Sequence, residues 1–250
     1  MTKELSGKVA IVTGAGRNIG RAIALALADG GASVVVNARS NRAEAERVAR
    51  EIEGAGSGAL VHIGDVADAN AMQAMADAAV KTFGRIDILV NNAALRREKP
   101  FVDMDYAEWR EILGVSLDGA FHCAKACLPA LQKSGQGAVI NIGGLSAHAG
   151  APGRVHVVSA KAALIGFTRA LAHDLGSDSI TVNCVVPGLI GTIRPEDKPE
   201  PAHHFRHRTI TSARGKPEDV AGIVRFLCGP AARYITGQAI HANGGAYLGA

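Results

Sequence analysis

Residues 8–30, KVAIVTGAGRNIGRAIALALADG, can do chemistry without any reactive side chain. Gly14, Gly16 and Gly20 mark a turn between an apolar, β-branched run, Val9 to Val12, and a segment with helical spacing from Ile19 through Ile23, Leu25 and Leu27. The Gly30-Gly31 pair ends that helix. A helix N-terminus behind such a turn offers unpaired backbone N–H groups, a positive dipole end and close access, which suits a pyrophosphate. A merely structural turn is the alternative, and the strand before and helix after argue against it.

Other reactive types are less organised. Cys123 and Cys127 lie at i, i+4 beside His122, but a metal site needs further ligands and none has the spacing, so packing is the expected role and no metal is expected. Arg96, Arg97 and Lys99 form one cationic stretch and PAHHFRHR (201–208) another. Two such loops on one rim suit a carboxylate, phosphate or CoA-like ligand, and a solvated charge cluster is the alternative.

The elements that must position these residues alternate along the chain. Strands are expected at 9–12, 33–38, 59–64, 86–93, 137–144, 180–186 and 238–242. Helices are expected from Ile19, then over 42–54, 68–83, 105–131, 153–175 and 217–227. Strands separated by helices of ten or more residues require right-handed crossovers, hence an α/β fold with one doubly wound parallel sheet and helices on both faces. No linker divides the 250 residues, which are expected to form a single domain. The net charge of +4 is scattered without aromatic interleaving, so nucleic acid is not an expected partner. No run of 18 uncharged apolar residues and no apolar signal core occur, so no membrane association and a cytoplasmic location are expected.

The spacing Thr13-Gly14 to Gly20 resembles the TGxxxGxG pattern of the short-chain dehydrogenase/reductase family, with Asn18 where that family has its middle glycine. Asn tolerates positive φ best among non-glycine residues. Asn91-Asn92-Ala93-Ala94 is similar to the family's NNAG, Asp65-Val66 to its adenine-holding pair, and Pro187-Gly188 with Thr192 to the segment bordering the nicotinamide. YITGQAIHANGG (234–245) resembles the terminal TGQ…DGG, with Asn243 for Asp. The chain is thereby similar to 3-oxoacyl-(acyl-carrier-protein) reductase-like members of the family, with a Rossmann fold and a substrate-covering loop at about 190–214. The implied cofactor contacts are Gly14, Gly16, Arg17, Asn18, Ile19, Gly20, Arg39, Ser40, Asp65, Val66, Asn91, Ala93, Lys161, Pro187, Gly188 and Thr192. The second strand ends Asn37-Ala38-Arg39-Ser40 without an acid, and Arg17 lies in the turn, so NADP(H) is favoured over NAD(H). Solvated surface cations are the alternative reading of both arginines.

The resemblance also implies a catalytic set of Tyr, Lys, Ser and Asn. Lys161 falls at the family's lysine, whereas Val157 stands at the Tyr position, Gly144 at the Ser and Ser116 at the Asn. Val and Gly offer no side-chain donor. His156, Ser146 and His148 are candidate substitute donors, each with a surface or loop alternative. The expected activity is NADP(H)-dependent hydride transfer between nicotinamide and a carbonyl or alcohol on a small-molecule substrate. The alternatives are a nucleotide-binding member without turnover, acting as sensor or silent subunit, or a lyase or isomerase. Surplus apolar positions, Phe121, Leu128, Leu164, Phe167 and Leu171, suit a helix-pair interface, and by resemblance a homotetramer is expected.

Overall fold

A computed structural model of the chain describes residues 3–193 and 208–249. The elements run β1 (Val9–Val12), α1 (Asn18–Asp29), β2 (Ser33–Ala38), α2 (Arg42–Gly54), β3 (Ala59–Ile63), α3 (Ala69–Phe83), β4 (Ile88–Asn91), α4 (Tyr106–Leu113), α5 (Gly119–Ser134), β5 (Ala138–Ile142), α6 (Ser146–Ala149), α7 (Val155–Leu175), β6 (Thr181–Pro187), α8 (Pro217–Cys228) and β7 (Ala239–Ala242). The strands form one parallel sheet in the order β3-β2-β1-β4-β5-β6-β7. The order reverses between β1 and β4, which is where an open α/β sheet leaves a crevice at its carboxyl edge.

Buried β-branched strands explain this arrangement, because every residue of β1, β4 and β5 is buried and such runs need helices on both faces. Ala22, Ile23 and Leu27 of α1 pack with Val48 and Ile52 of α2 and Val220 and Val224 of α8 on one face. Met72 and Met75 of α3, Cys123 and Cys127 of α5 and Leu175 of α7 cover the other. The two cysteines are packing groups, and burial pushes the Cys123 thiol up to about 12.

Two expectations are corrected. The helix expected over 105–131 is two helices joined by a π-turn, Gly114–Asp118, because the bonds there skip to i→i+5. Leu164 is 1% exposed and belongs to the core, not to a spare outer face, whereas Phe121 is 52% exposed. By length and composition Val155–Asp178 could cross a membrane. In the fold it is the helix packed against β6, α4 and α6, and it carries a buried lysine.

Candidate functional site

The turn after β1 is built by its neighbours. Thr13 Oγ1 accepts the Asn92 and Ala93 N–H groups at 2.9 and 3.0 Å, and Asn92 Nδ2 donates to the Thr13 and Gly14 carbonyls at 2.8 and 3.1 Å. Asn37 closes the other side, its carbonyl accepting from Ala15 N–H at 2.8 Å and its side chain bonding the His62 and Gly64 carbonyls. Gly14 has φ +61°, and a Cβ on Gly20 would lie 2.2 Å from the Gly14 oxygen, so neither position accepts a side chain without moving the turn. Asn18 takes φ +51° as expected. Its side chain also accepts from Ile193 N–H at 2.9 Å and donates to the Ile193 carbonyl at 3.2 Å.

Helix α1 begins without a capping side chain and without an acid in its first turn. By contrast α2, α3 and α4 are capped by Asn41, Asp68 and Asp105. The first N–H groups of α1 are therefore available to an anion, with Gly16, Ile19 and Gly20 buried around them. Arg17, at the N-cap, is exposed, as are Arg39 and Ser40 beyond β2. Asp65, after β3, accepts from Ala67 N–H at 3.0 Å, and buried Val66 is held through its carbonyl by His122 Nδ1 at 3.2 Å.

At the carboxyl ends of β5 and β6 the central group is Lys161. It is 5% exposed, and its Nζ donates to the Ile142 carbonyl at 2.5 Å. Burial, and secondarily the charges of Arg96 and Arg154, bring its pKa down to about 7 against an opposing pull from Cys184. Val157 is one helical turn earlier and buried. A Cβ on Gly144 would meet only Lys161 Cγ at 3.9 Å and Ser146 Oγ at 4.0 Å, so the space beside the lysine is open. Pro187 accepts from Leu145 N–H, and Gly188 lies so close to Asn243 that a Cβ would stand 2.6 Å from its Cα. Thr192 is half-buried beyond them. Ser116 is buried in the π-turn, which packs against α7.

The remaining candidates point elsewhere or are engaged. His156 is fully buried; its Nδ1 accepts from Val157 N–H at 3.0 Å and its Nε2 faces Glu108 Oε1 at 3.9 Å, so it lies between α7 and α4. Burial lowers its pKa although Glu108 opposes this. His148 packs its ring against His241 and Tyr247. Lys99 pairs with Glu108 at 2.7 Å and Arg97 with Glu111, so both of these cations have carboxylate partners. Residues 201–207 of the other cationic stretch lie outside the described residues. Among the described residues no cluster of three metal-ligating side chains occurs.

Sequence reading missed a buried polar ladder linking β4, β5 and α7. Asn91 Nδ2 donates to Asn141 Oδ1 at 2.9 Å, Asn141 Nδ2 to Thr168 Oγ1 at 2.9 Å, and Thr168 to the Leu164 carbonyl at 2.7 Å. The signal was available, since a central buried strand holding an Asn must satisfy it.

The family model described as enoyl-(acyl carrier protein) reductase matches residues 14–247. The 3-oxoacyl-(acyl-carrier-protein) reductase FabG of Staphylococcus aureus is 39% identical over 242 residues, 96% of this chain and 98% of the relative. A short chain dehydrogenase from Burkholderia cenocepacia, solved with NADP, superposes with a TM-score of 0.90 at 36% identity, covering 97% of this chain and 99% of that one. A 7α-hydroxysteroid dehydrogenase solved with NADH and 7-oxo glycochenodeoxycholic acid gives 0.89 at 36% identity, covering 98% and 96%. The glycine turn, the uncapped α1, the parallel sheet order and the full-length similarity agree, and the chain belongs to the short-chain dehydrogenase/reductase family.

Proposed function

We propose that the protein is an NADP(H)-dependent oxidoreductase moving a hydride between nicotinamide and a carbonyl or alcohol carbon of a small molecule. The observation that carries this reading is an uncapped, glycine-lined helix start at one side of the sheet crevice and a buried, solvent-shielded lysine at the other. The dinucleotide fits the residues present. The first-turn N–H groups of α1 would hold the pyrophosphate, and Arg17 and Arg39 the 2′-phosphate, where an acid at residue 38 would repel it. Asp65 and Val66 would border the adenine, with Asn91 and Ala93 along the floor. Lys161 would hold the ribose hydroxyls, and Pro187, Gly188 and Thr192 would flank the nicotinamide. The bound cofactor supplies the hydride.

The chain must supply the proton and stabilise the developing alkoxide. Val157 and Gly144 do neither, so this active site departs from the family pattern. Ser146 Oγ, 4.0 Å from a Cβ placed at Gly144, and the Lys161 side chain, whose Cγ is 3.9 Å from it, border the open space there. The positive charges that reach Lys161 are those of Arg96 and Arg154, and an anionic substrate suits them. A cytoplasmic location accords with four buried free thiols. The same two residues, Val157 and Gly144, favour the second reading, a nucleotide-binding protein without turnover.

The test is Val157→Tyr combined with Gly144→Ser, assayed by NADPH oxidation over aldehydes, ketones and acyl thioesters. A Tyr at 157 would share a face with Lys161, whose charge favours phenolate. A Ser at 144 fits the open space. Each restored donor is worth roughly 10² in rate, so carbonyl reduction should rise at least about tenfold. If parent and double variant both bind NADPH but neither oxidises it, the non-catalytic reading stands. If the parent is already fast and Ser146→Ala abolishes turnover with binding intact, Ser146 is the donor.

A further inference from the structure

With Val157 and Gly144 unable to donate, the polar side chains near the carboxyl ends of β5 and β6 divide by what already engages them. His156 is turned toward α4, its Nδ1 accepting from Val157 N–H and its Nε2 facing Glu108. The His148 ring packs on those of His241 and Tyr247. Ser116 is buried in the π-turn. Ser146 and Lys161, by contrast, border the opening at Gly144. Ser146 places its Oγ 4.0 Å from where a Cβ would stand there. Lys161 passes the same point with its Cγ at 3.9 Å and ends on the carbonyl of Ile142, two residues upstream, so its amine lies at the strand end that leads into the opening.

These two groups differ in what they can give. On its own a serine hydroxyl hydrogen-bonds a carbonyl oxygen but does not release its proton at neutral pH. An ammonium does so once its surroundings make the charge costly. Burial disfavours the charge on Nζ most, and Arg96 on the loop after β4 and Arg154 at the start of α7 repel it. Among the described residues the opposing pull comes from Cys184 of β6, and Lys161 titrates at about 7. The Cys184 thiol is itself kept protonated, pushed up to about 11 by burial. On α4 the acid Glu108 pairs with Lys99 and faces His156. The groups contributed by α6 and the π-turn, Ser146 and Ser116, are uncharged hydroxyls. An ammonium has three N–H bonds and an amine two, so Nζ can give one proton away and keep its bond to Ile142.

We propose, resting on the oxidoreductase reading above, that Lys161 Nζ is itself the acid of this site and passes a proton to the substrate's carbonyl oxygen while Ser146 Oγ hydrogen-bonds that oxygen. The carbonyl carbon gains a hydride with its electron pair from the reduced dinucleotide, which is oxidised, and the π pair of the C=O bond moves onto oxygen. The oxygen forms its O–H bond as an N–H bond of Lys161 breaks, the electrons of that bond staying on nitrogen. A neutral amine remains and takes its next proton from solvent. In the reverse direction the same amine is the base that accepts the alcohol proton.

The test begins with the parent chain. Carbonyl reduction should be level below about pH 7 and fall about tenfold per pH unit above it, and oxidation of the corresponding alcohol should rise through the same pH. In the cofactor-free chain labelled with 15N-lysine, the Nζ signal that is absent from Lys161→Arg should titrate near that pH and not near 10.5. An arginine at 161 keeps a cation for the ribose and for Ile142 but holds its proton throughout. In Lys161→Arg, NADPH should therefore bind within about fivefold of the parent by fluorescence titration, while reduction falls at least about 100-fold. Ser146→Ala should slow reduction roughly 100-fold and leave the pH of the break unmoved. Reduction indifferent to pH between about 6 and 9, an Nζ that titrates above about 9, or a Lys161→Arg chain as active as the parent overturns the assignment and leaves the oxidoreductase reading standing. A parent that binds NADPH and reduces no aldehyde, ketone or acyl thioester overturns both. If the arginine costs the fold or the cofactor, the parent's two pH profiles and the Nζ titration decide.

Discussion

Lys161 is an amine held close to neutrality, and that state has a cost that varies with pH. The unfolded lysine titrates near 10.5 and the folded one at about 7. Below pH 7 both states are charged and the penalty is complete. Between 7 and 10.5 it falls steadily, and above 10.5 it is gone. At neutral pH it is on the order of 4 kcal/mol, against about 1 kcal/mol from the bond to Ile142. Lys161→Met should therefore raise the melting temperature by roughly 5–10 °C at pH 7, with the gain vanishing above pH 10, while abolishing turnover. Calorimetry across that range checks it, and a destabilised variant at pH 7 would mean the amine is solvated. Arg39 acts at the same scale. Arg39→Ala should weaken NADPH about tenfold by removing a charged contact to the 2′-phosphate, and leave NADH nearly unchanged. Equal losses for both in fluorescence titrations would refute the assignment.

The element that organises the nucleotide half is α1, and its start is set by Gly20 as much as by the glycines of the turn. A methyl group there would stand 2.2 Å from the Gly14 oxygen, so Gly20→Ala must lift α1 from the turn. The chain should still fold, because the α1 face packed on α8 is untouched. Cofactor affinity should fall at least about tenfold, the equivalent of one lost charged hydrogen bond, as equilibrium titration would show. This element was legible in the sequence because its apolar spacing is local. So was the alternation that fixes the sheet, since periods of two and of 3.6 are written in neighbouring residues. The π-turn at Gly114–Asp118 was not, because one extra residue in a helical turn leaves the apolar pattern almost unchanged. It turns Ser116 inward, a placement that spacing alone could not supply.

Across the whole molecule, legibility falls with separation along the chain. The asparagine ladder joins residues 50 apart and the His148 ring packs on that of His241, pairings that no local period encodes. The assembly is a question at this scale. Phe121 on α5 and Tyr234 before β7 are exposed, and the outer edge of β7 pairs with no further strand among the described residues. Such surfaces suit contacts between copies of the chain. Light scattering at micromolar concentration should return four times the 25.7 kDa chain mass, and a monomer mass would exclude the tetramer. The amide of Asn18, which grips the backbone of Ile193 across 175 residues, bears on the timing of events. A glycine in that place would leave the phosphate turn and the approach to the substrate independent of each other. With the clasp present, a dinucleotide leaving the turn must work past the Ile193 backbone that Asn18 holds. The kinetics this favours is compulsory order, with the nucleotide first to arrive and last to depart, its escape pacing each cycle.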